Sequence, residues 1–265
     1  MKKIDQQYLK SLLKYGYVLI DNAISHKECD KIKNVYIKIF KKYKKKIKTK
    51  NPLEDAIYNL HNKDDIFLKY IDHKKIIEIV KKSLSVRSYT KNDFIVLRQS
   101  AIRNPQKGHA QQLHNDTRIA GINCPLIIQV IWMIDEFNDL NGGTRVVPNS
   151  HNFNKFPINN KKYKEELIIN GNKGSVLLLN ASMWHGSSKK VSNDDRLGMI
   201  FSYSKWFLKG SFDHTLNTPL KVYRKLNTYQ KELLGFKFSP PVDEFTSRSS
   251  RSNKNIKPKV DYTLP

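Results

Sequence analysis

From about residue 93 the hydrophobic period of the chain changes, and that change limits the possible folds more than any other feature. "DFIVLRQ" (93–99), "PLIIQVIWMI" (125–134), "TRVVP" (144–148), "GSVLLLN" (174–180) and "RLGMIFSYS" (196–204) are short runs rich in β-branched and aromatic residues. The turn signals "NPQKG", "NDLNGG", "NGNKG" and "SNDD" separate them. Parallel strands need long, usually helical crossovers, and most of these runs have no helical period between them. Strands joined this way favour an antiparallel sandwich or jelly roll.

The chain before the strands reads as helical. Residues 5–15 put Tyr8, Leu9, Leu12 and Leu13 on one face. Gly16 turns the chain into a strand at 17–20. A second helix starts at Ser25, where Ser25 and Glu28 have the spacing of a capping box, and turns Cys29, Ile32, Val35, Tyr36 and Ile39 inward. A third helical region covers about 64–83 through Ile66, Phe67, Tyr70, Ile71, Ile76, Ile77 and Val80. One further helix is expected over 219–234, ending at Gly235, and a polar, loosely held tail from about 244. No apolar run is long enough for a membrane span, and no signal peptide is read at the start. Two cysteines, Cys29 and Cys124, fit a reduced cytoplasmic protein without a disulfide framework.

The chemistry concentrates in "QQLHNDTR" (111–118), where His114 and Asp116 stand two apart. Given 8 His and 24 Asp plus Glu in 265 residues, about 0.7 such pairs arise by chance, so the pair needs support from its surroundings. His26 and Glu28 share the spacing, but the helix cap explains Glu28 without a metal. His114 and Asp116 fall instead between the first two predicted strands, where jelly-roll loops converge. On an extended backbone both side chains point to one side. One more imidazole would complete the triad that leaves positions open on Fe(II). The candidates are His151, His185 and His214. His185 is preferred because it follows "GSVLLLN" and stands eleven residues before Arg196. That arginine opens an otherwise apolar strand and needs an anionic partner, such as a small dicarboxylate.

The formal net charge of +24 comes mostly from lysine and is densest in "FKKYKKKIKTK" (40–50). It is read as a solvated lysine-rich face rather than a nucleic-acid surface. The alternative kept open is a basic nucleic-acid-binding protein that retains the jelly-roll fold without catalysis.

These segments, in order, resemble the phytanoyl-CoA dioxygenase family of Fe(II)/2-oxoglutarate oxygenases. The likeness runs through "YGYVLIDNAISHKECDKI", "GHAQQLHNDT", "IQVIWMIDEFNDLNGGTRVVPNSH", "GSVLLLNASMWHGSSKKVSNDDRLGMIFSYSKWFL" and "KELLGF". Within the family the chain looks most like the branch that modifies small metabolites. The resemblance implies a mainly β fold with flanking helices. Its double-stranded β-helix core (jelly roll, cupin-like) would carry N-terminal helices packed on one sheet. It implies a single oxygenase domain over 1–243, with a mostly helical part at 1–90, the core at 91–210, a C-terminal helix at 211–243 and a tail at 244–265. It implies His114, Asp116 and His185 as iron ligands, with Arg196 on the distal carboxylate of 2-oxoglutarate. Thr144 would assist, and Gln111 would donate a hydrogen bond to the cosubstrate. The implied cofactors are Fe(II), 2-oxoglutarate and O2, and the implied partner is a small-molecule substrate. A monomer is the default expectation, since nothing in the sequence sets the oligomeric state. Two positions depart from the family pattern. Asn149 replaces the usual glycine of "PGSH", and asparagine tolerates a left-handed turn. Asn115 stands where the branch commonly has a larger side chain, which bears on substrate choice.

Other residues have structural readings. His151 orders the loop after "VVPNS", Trp132 and Trp184 belong to core or pocket wall, and His61, His73 and His214 have no supporting context. His109 reads as a lid or surface residue. Arg98, Arg103, Arg118 and Arg145 stand near the expected mouth, where any of them could hold an anionic substrate.

Overall fold

In the computed structural model, which describes residues 3–44, 56–90 and 93–238, side-chain alternation sorts the long strands into two faces. Along β4 (Ile127–Met133), Ile128, Val130 and Trp132 enter the larger core, while Ile131 and Met133 enter a smaller one. β7 (Val176–Asn180) divides in the same way, with Val176 and Leu178 against Leu177 and Leu179. In β9 (Gly198–Lys205), Met199, Phe201 and Tyr203 oppose Ile200. These strands combine with β1 (Tyr17–Ile20), β2 (Ala56–Tyr58) and β3 (Ile95–Arg103) into a six-stranded antiparallel sheet of order β1-β7-β4-β9-β3-β2. A second sheet of order β6-β5-β8 is built from β5 (Thr144–Val146), β6 (Leu167–Ile169) and β8 (His185–Ser187). Val146 and Ile169 close the smaller core against the large sheet. The arrangement is the expected jelly roll.

The other face of the large sheet carries the helices. α1 (Lys3–Tyr15) inserts Leu12. α2 (His26–Lys44) inserts Cys29, Ile32, Tyr36 and Ile39 at helical spacing. Burial pushes the Cys29 thiol up to about 11, as suits a packing residue. After α3 (Leu68–Ile71), α4 (Lys74–Leu84) adds Ile76, Ile77, Val80 and Leu84. The buried Lys205 ammonium of β9 fastens sheet to helix layer. It donates to the carbonyl of Leu84, the last residue of α4, at 2.6 Å, to that of Val86 at 3.3 Å, and to Ser88 Oγ at 2.7 Å. A cation there complements the helix C-terminus. No helix among the described residues is long and apolar enough to cross a membrane.

Several sequence expectations need correction. The helical region at 64–83 is broken at Asp72, whose carboxylate receives hydrogen bonds from Asn227 and Gln230. The helix over 219–234, and the single C-terminal helix over 211–243, resolve into α5 (His214–Asn217), α6 (Leu220–Tyr223) and α7 (Thr228–Leu233). Asn227 starts α7 afresh with a capping box closed by Gln230. At α2 only half of the expected box forms as read. Ser25 Oγ accepts from Glu28 N at 3.2 Å, while the Glu28 carboxylate turns to Tyr70 and Lys69. The expected tail from 244, and most of the lysine run at 40–50, lie outside the described residues.

Candidate active site

The two histidines are held together by their own backbones. His114 N–H donates to the His185 carbonyl at 2.9 Å, and His185 N–H donates to the His114 carbonyl at 3.0 Å. This is an isolated antiparallel bridge, and directly opposed residues in such a bridge send their side chains to the same side. The imidazole centroids lie 4.4 Å apart. His185 follows β7, as the sequence suggested, and itself begins β8. Two residues beyond His114, Asp116 N–H donates to the Ala181 carbonyl at 2.9 Å, which holds the aspartate over the same spot. His151 and His214 are elsewhere. His151 packs beneath Gly16 and its Nε2 lies 3.3 Å from the Leu13 carbonyl. His214 is buried against His61.

The hydrogen bonds fix the tautomers. His114 Nδ1 lies 2.9 Å from the Gln112 carbonyl, and His185 Nδ1 lies 2.7 Å from the Met183 carbonyl. A carbonyl only accepts, so both Nδ1 atoms carry hydrogen and the neutral rings turn Nε2 lone pairs inward. His114 Nε2 faces Asp116 Oδ1 and His185 Nε2 faces Asp116 Oδ2, each at 3.4 Å. The ligand atoms of the three residues lie within 4.8 Å of one another. Three electron-pair donors this close repel unless protons or a cation sit among them. Burial would raise the Asp116 carboxyl, but the charge and hydrogen bonds of His185 and His114 outweigh it and hold the group far below the carboxylate range. The bond to Asp116 raises the His114 imidazole, against burial. A divalent cation satisfies all three donors at once, so this set fits a metal with N and O preference.

The triad sits where two cavities share a wall. Gln99, Gln111, His114, Asp116 and Gln129 line both. The inner cavity, about 180 Å³, contains Thr144, Ser187 and Arg196. The Arg196 guanidinium is 3.7 Å from the centroid of the Phe137 ring, and donates to Thr144 Oγ1 at 3.3 Å. The buried Ser187 hydroxyl has no hydrogen-bond partner among the described residues. Arg196 stands two residues before β9 rather than on it. Its segment is fixed by Lys33 of α2, which bridges Asp135 and Asp195 at 2.9 Å each, and by Asp135 accepting from Leu197 N–H at 3.1 Å. This pocket end is rich in donors and suits a carboxylate. The outer cavity, about 870 Å³, opens beyond His114 and Asp116 and is lined by Arg98, Gln112, Asn115 and Arg118 among others.

The four arginines near the mouth separate into different roles. Arg98 and Arg118 line the outer cavity, and Arg103 contacts His109 at 2.9 Å beside the inner one. Arg145 is paired with Glu166 at 2.9 Å. Asn149 has φ 65°, the left-handed conformation expected of it. Its neighbour Ser150 supports the site, with Oγ accepting the Trp184 N–H at 2.8 Å, one residue before His185. Trp132 belongs to the core and Trp184 to a small cluster with Leu113 and Val147.

Two residues of the site were missed in the sequence. Gln129 Nε2 donates to Asp116 Oδ2 at 2.8 Å. It is the one polar residue in "PLIIQVIWMI", on the alternation that faces inward, and that was the available signal. Gly186 lets the strap at 111–112 cross β8. A Cβ there would sit 2.8 Å from the Gln111 carbonyl and 2.9 Å from that of Gln112. Gln111 N–H itself donates to the Ser187 carbonyl at 3.2 Å, so the strap carries Gln111 to both cavities.

A jelly roll with a His-x-Asp pair and a distal histidine between two cavities has the architecture of the Fe(II)/2-oxoglutarate oxygenases. The chain belongs to the phytanoyl-CoA dioxygenase (PhyH) family, whose model matches residues 12–198. An uncharacterised protein of Mycobacterium tuberculosis is 22% identical over 175 residues, covering 65% of this chain and 64% of the relative. The dioxygenase cdmA of Talaromyces verruculosus is 25% identical over 155 residues, covering 55% and 51% respectively. The chain thus spans just under two thirds of the mycobacterial relative and about half of the fungal one. Among solved structures, HygX of Streptomyces hygroscopicus with nickel and 2-oxoglutarate bound superposes with a TM-score of 0.63. It is 16% identical and covers 79% of this chain and 89% of its own. HygX has also been solved with hygromycin B bound beside nickel and 2-oxoglutarate.

Proposed function

We propose that the protein is an Fe(II)- and 2-oxoglutarate-dependent dioxygenase that oxidises an unactivated C–H bond of a small metabolite. The observation that carries this reading is the convergence of three electron-pair donors on the wall between a donor-rich inner cavity and a larger outer one. His114 and His185 would hold Fe(II) through Nε2, and Asp116 through its carboxylate. Arg196, with Thr144, would take the distal carboxylate of 2-oxoglutarate, and Gln111 would donate a further hydrogen bond to it. When bound, this pair supplies activation of O2, with 2-oxoglutarate leaving as succinate and CO2.

The chain's own work is placement. The Nδ1 bonds to Gln112 and Met183 keep both imidazoles in the ligating tautomer. Gln129 holds the Asp116 carboxylate in orientation. Leu113 and Ile127 line the outer cavity beside the ligands and limit water there. We propose that these parts form one domain, acting as a monomer.

Purified protein supplied with Fe(II) and O2 is expected to release succinate from 2-oxoglutarate slowly even without primary substrate. His185→Ala should abolish release and metal binding together. Arg196→Ala should retain metal but require at least about tenfold more 2-oxoglutarate, as loss of a charge-assisted bond does. Unchanged 2-oxoglutarate affinity in Arg196→Ala would remove the arginine from its role, and no succinate from the parent protein would remove the reading itself.

A further inference from the structure

We propose that the outer cavity takes a small polar acid, a carboxylate or phosphate carried on a hydroxylated body, and that Arg98 anchors the anion. The proposal names the substrate class for the oxygenase reading above and rests on that reading only for what happens to the bound molecule.

Arg98 reaches the cavity through a defect in the sheet. β3 pairs with β9 as Leu97 opposite Tyr203, then Gln99 opposite Ser202, so Arg98 is an extra residue in a β-bulge. The core side chains show the change of phase. Ile95 and Leu97 enter the helix-side core before the bulge, and Ser100 and Ile102 are buried after it. A regular strand would send Gln99 into that core with Ile95 and Leu97. The bulge instead puts two successive polar residues, Arg98 and Gln99, on the cavity wall. Bulges re-aim side chains in this way beside active sites. The bulge is fastened by its own carbonyl, which accepts from Ser211 N–H at 3.2 Å.

The guanidinium is half-buried, and no carboxylate among the described residues forms an ion pair with it. Asp116 is the acid that acts on it through space, but its oxygens are already committed. Oδ1 faces His114 and Oδ2 faces His185 and Gln129. A partly desolvated charge without a close counter-ion is costly, and an anionic ligand group removes that cost. At the rim, Arg118 adds a second guanidinium, this one exposed. It stands at φ 55° in a turn organised by Asn115 Oδ1, which accepts from Thr117 N–H at 2.8 Å and Arg118 N–H at 3.1 Å. The wall thus offers two cations and one acid bound for the metal, which argues against a cationic substrate. Four of the sixteen lining residues, Leu113, Ile127, Phe156 and Pro157, are apolar, while amides and hydroxyls supply most of the rest. That lining suits hydroxyl groups better than an acyl chain. A volume of about 870 Å³ has room for a metabolite-sized molecule.

Protein holding Ni(II) and saturating 2-oxoglutarate, which occupies the inner anion site, should be titrated calorimetrically with five probes of similar size. Gluconate and glucose 6-phosphate are polar acids, glucitol is neutral, glucosamine is a cation and hexanoate is an apolar acid. Gluconate or glucose 6-phosphate should bind measurably tighter than the other three, and the tighter of the two identifies the acid. Arg98→Gln should weaken that binding about ten- to a hundredfold, as loss of a charge-assisted bond does, and Arg98→Lys should recover part of it. Arg118→Gln should cost less, because its guanidinium is more exposed. A melting curve of each variant checks that it is folded. Equal binding of glucitol or glucosamine overturns the anion site, and equal binding of hexanoate overturns the polar body. Indifference to Arg98→Gln, or binding of no probe, overturns the proposal. Succinate release with Fe(II), measured in parallel, separates the two readings. Bound acids without any succinate leave the anion site and remove the oxygenase; succinate without bound acids does the reverse.

Discussion

Each imidazole of the triad gives its Nδ1 hydrogen to the carbonyl two residues before it, so the site's geometry is written into the backbone. The carboxylate between them has no such tether. Asp116 is oriented by Gln129 Nε2 at 2.8 Å, and Gln129 Oε1 is buried without a hydrogen-bond partner among the described residues. A buried amide that satisfies only one side is costly unless the other member of its pair is needed. Gln129→Leu should therefore fold with little loss, since the position is nearly buried among strand residues. It should lower metal affinity by about ten- to a hundredfold, the range for removing a group that orients a ligand. Titration with Ni(II) or Fe(II), alongside a melting curve, checks this. Unchanged affinity would mean that the Asp116 backbone bond to Ala181 is enough to aim the carboxylate.

The long strands were legible because five or more successive residues dominated by aliphatic and aromatic side chains, bounded by turn signals, read as buried strand. β4, β7 and β9 lie within the runs that announced them or extend them by one residue. The three-residue strands carry no period; β5 was read from the β-branched content of "TRVVP", while β2, β6 and β8 lie outside the runs and were missed, and with β8 the pairing that starts at His185. The His-x-Asp pair, the distal histidine and the arginine could be picked out from residue type and order. Their meeting depends on the His114–His185 bridge, which pairs residues seventy-one positions apart and leaves no local mark. The bulge at Arg98 was hidden for a related reason, because the phase change shows only against a partner strand. The division of 219–234 was readable in principle. Asn227 and Gln230 have cap spacing, and in the structure Asn227 Oδ1 accepts from Gln230 N–H at 2.8 Å while Gln230 Oε1 accepts from Asn227 N–H at 3.1 Å. Asn227→Ala should cost about 1 kcal/mol of stability, the usual worth of an N-cap. It should cost somewhat more here because Asn227 Nδ2 also donates to Asp72. Denaturant unfolding measures it, and a loss near zero would show that α7 is held by Leu233 and its packing alone.

For the molecule as a whole, charge and buried histidines act on stability together. Forty-eight basic side chains against 24 acidic ones leave a net +24, so self-repulsion opposes the folded state and weakens as salt screens it. The melting temperature at pH 7.5 should rise between low salt and physiological salt; a fall would mean that ion pairs such as Lys33 with Asp135 and Asp195 outweigh the repulsion. The same titration against nonspecific DNA decides the other reading of the charge. A steep salt slope that needs no metal would favour nucleic-acid binding, and a flat, weak response would favour a solvated surface. Acid adds a second load. His61 and His214 are fully buried with rings 5.0 Å apart, across the contact between residues 60–62 and α5. Burial holds His61 well below its ordinary value and lowers His214 to about 4. Below about pH 6.5 the unfolded chain takes up protons at these positions and the folded chain does not, so folding stability falls with pH. For His214 the loss begins near 6.5, is complete near 4 and amounts to roughly 3 kcal/mol, while above 6.5 the two states are equally deprotonated and nothing is lost. The rising positive charge of the whole chain pushes in the same direction. Melting temperature should therefore drop steeply between pH 6.5 and 4.5, and added salt should recover only the repulsive part of the drop. Hydrogen exchange should find the seam between residues 60–62 and 214–218 opening first. A melting temperature that stays level from pH 7.5 to 4.5 would mean that both rings accept protons without leaving their places, which their burial forbids.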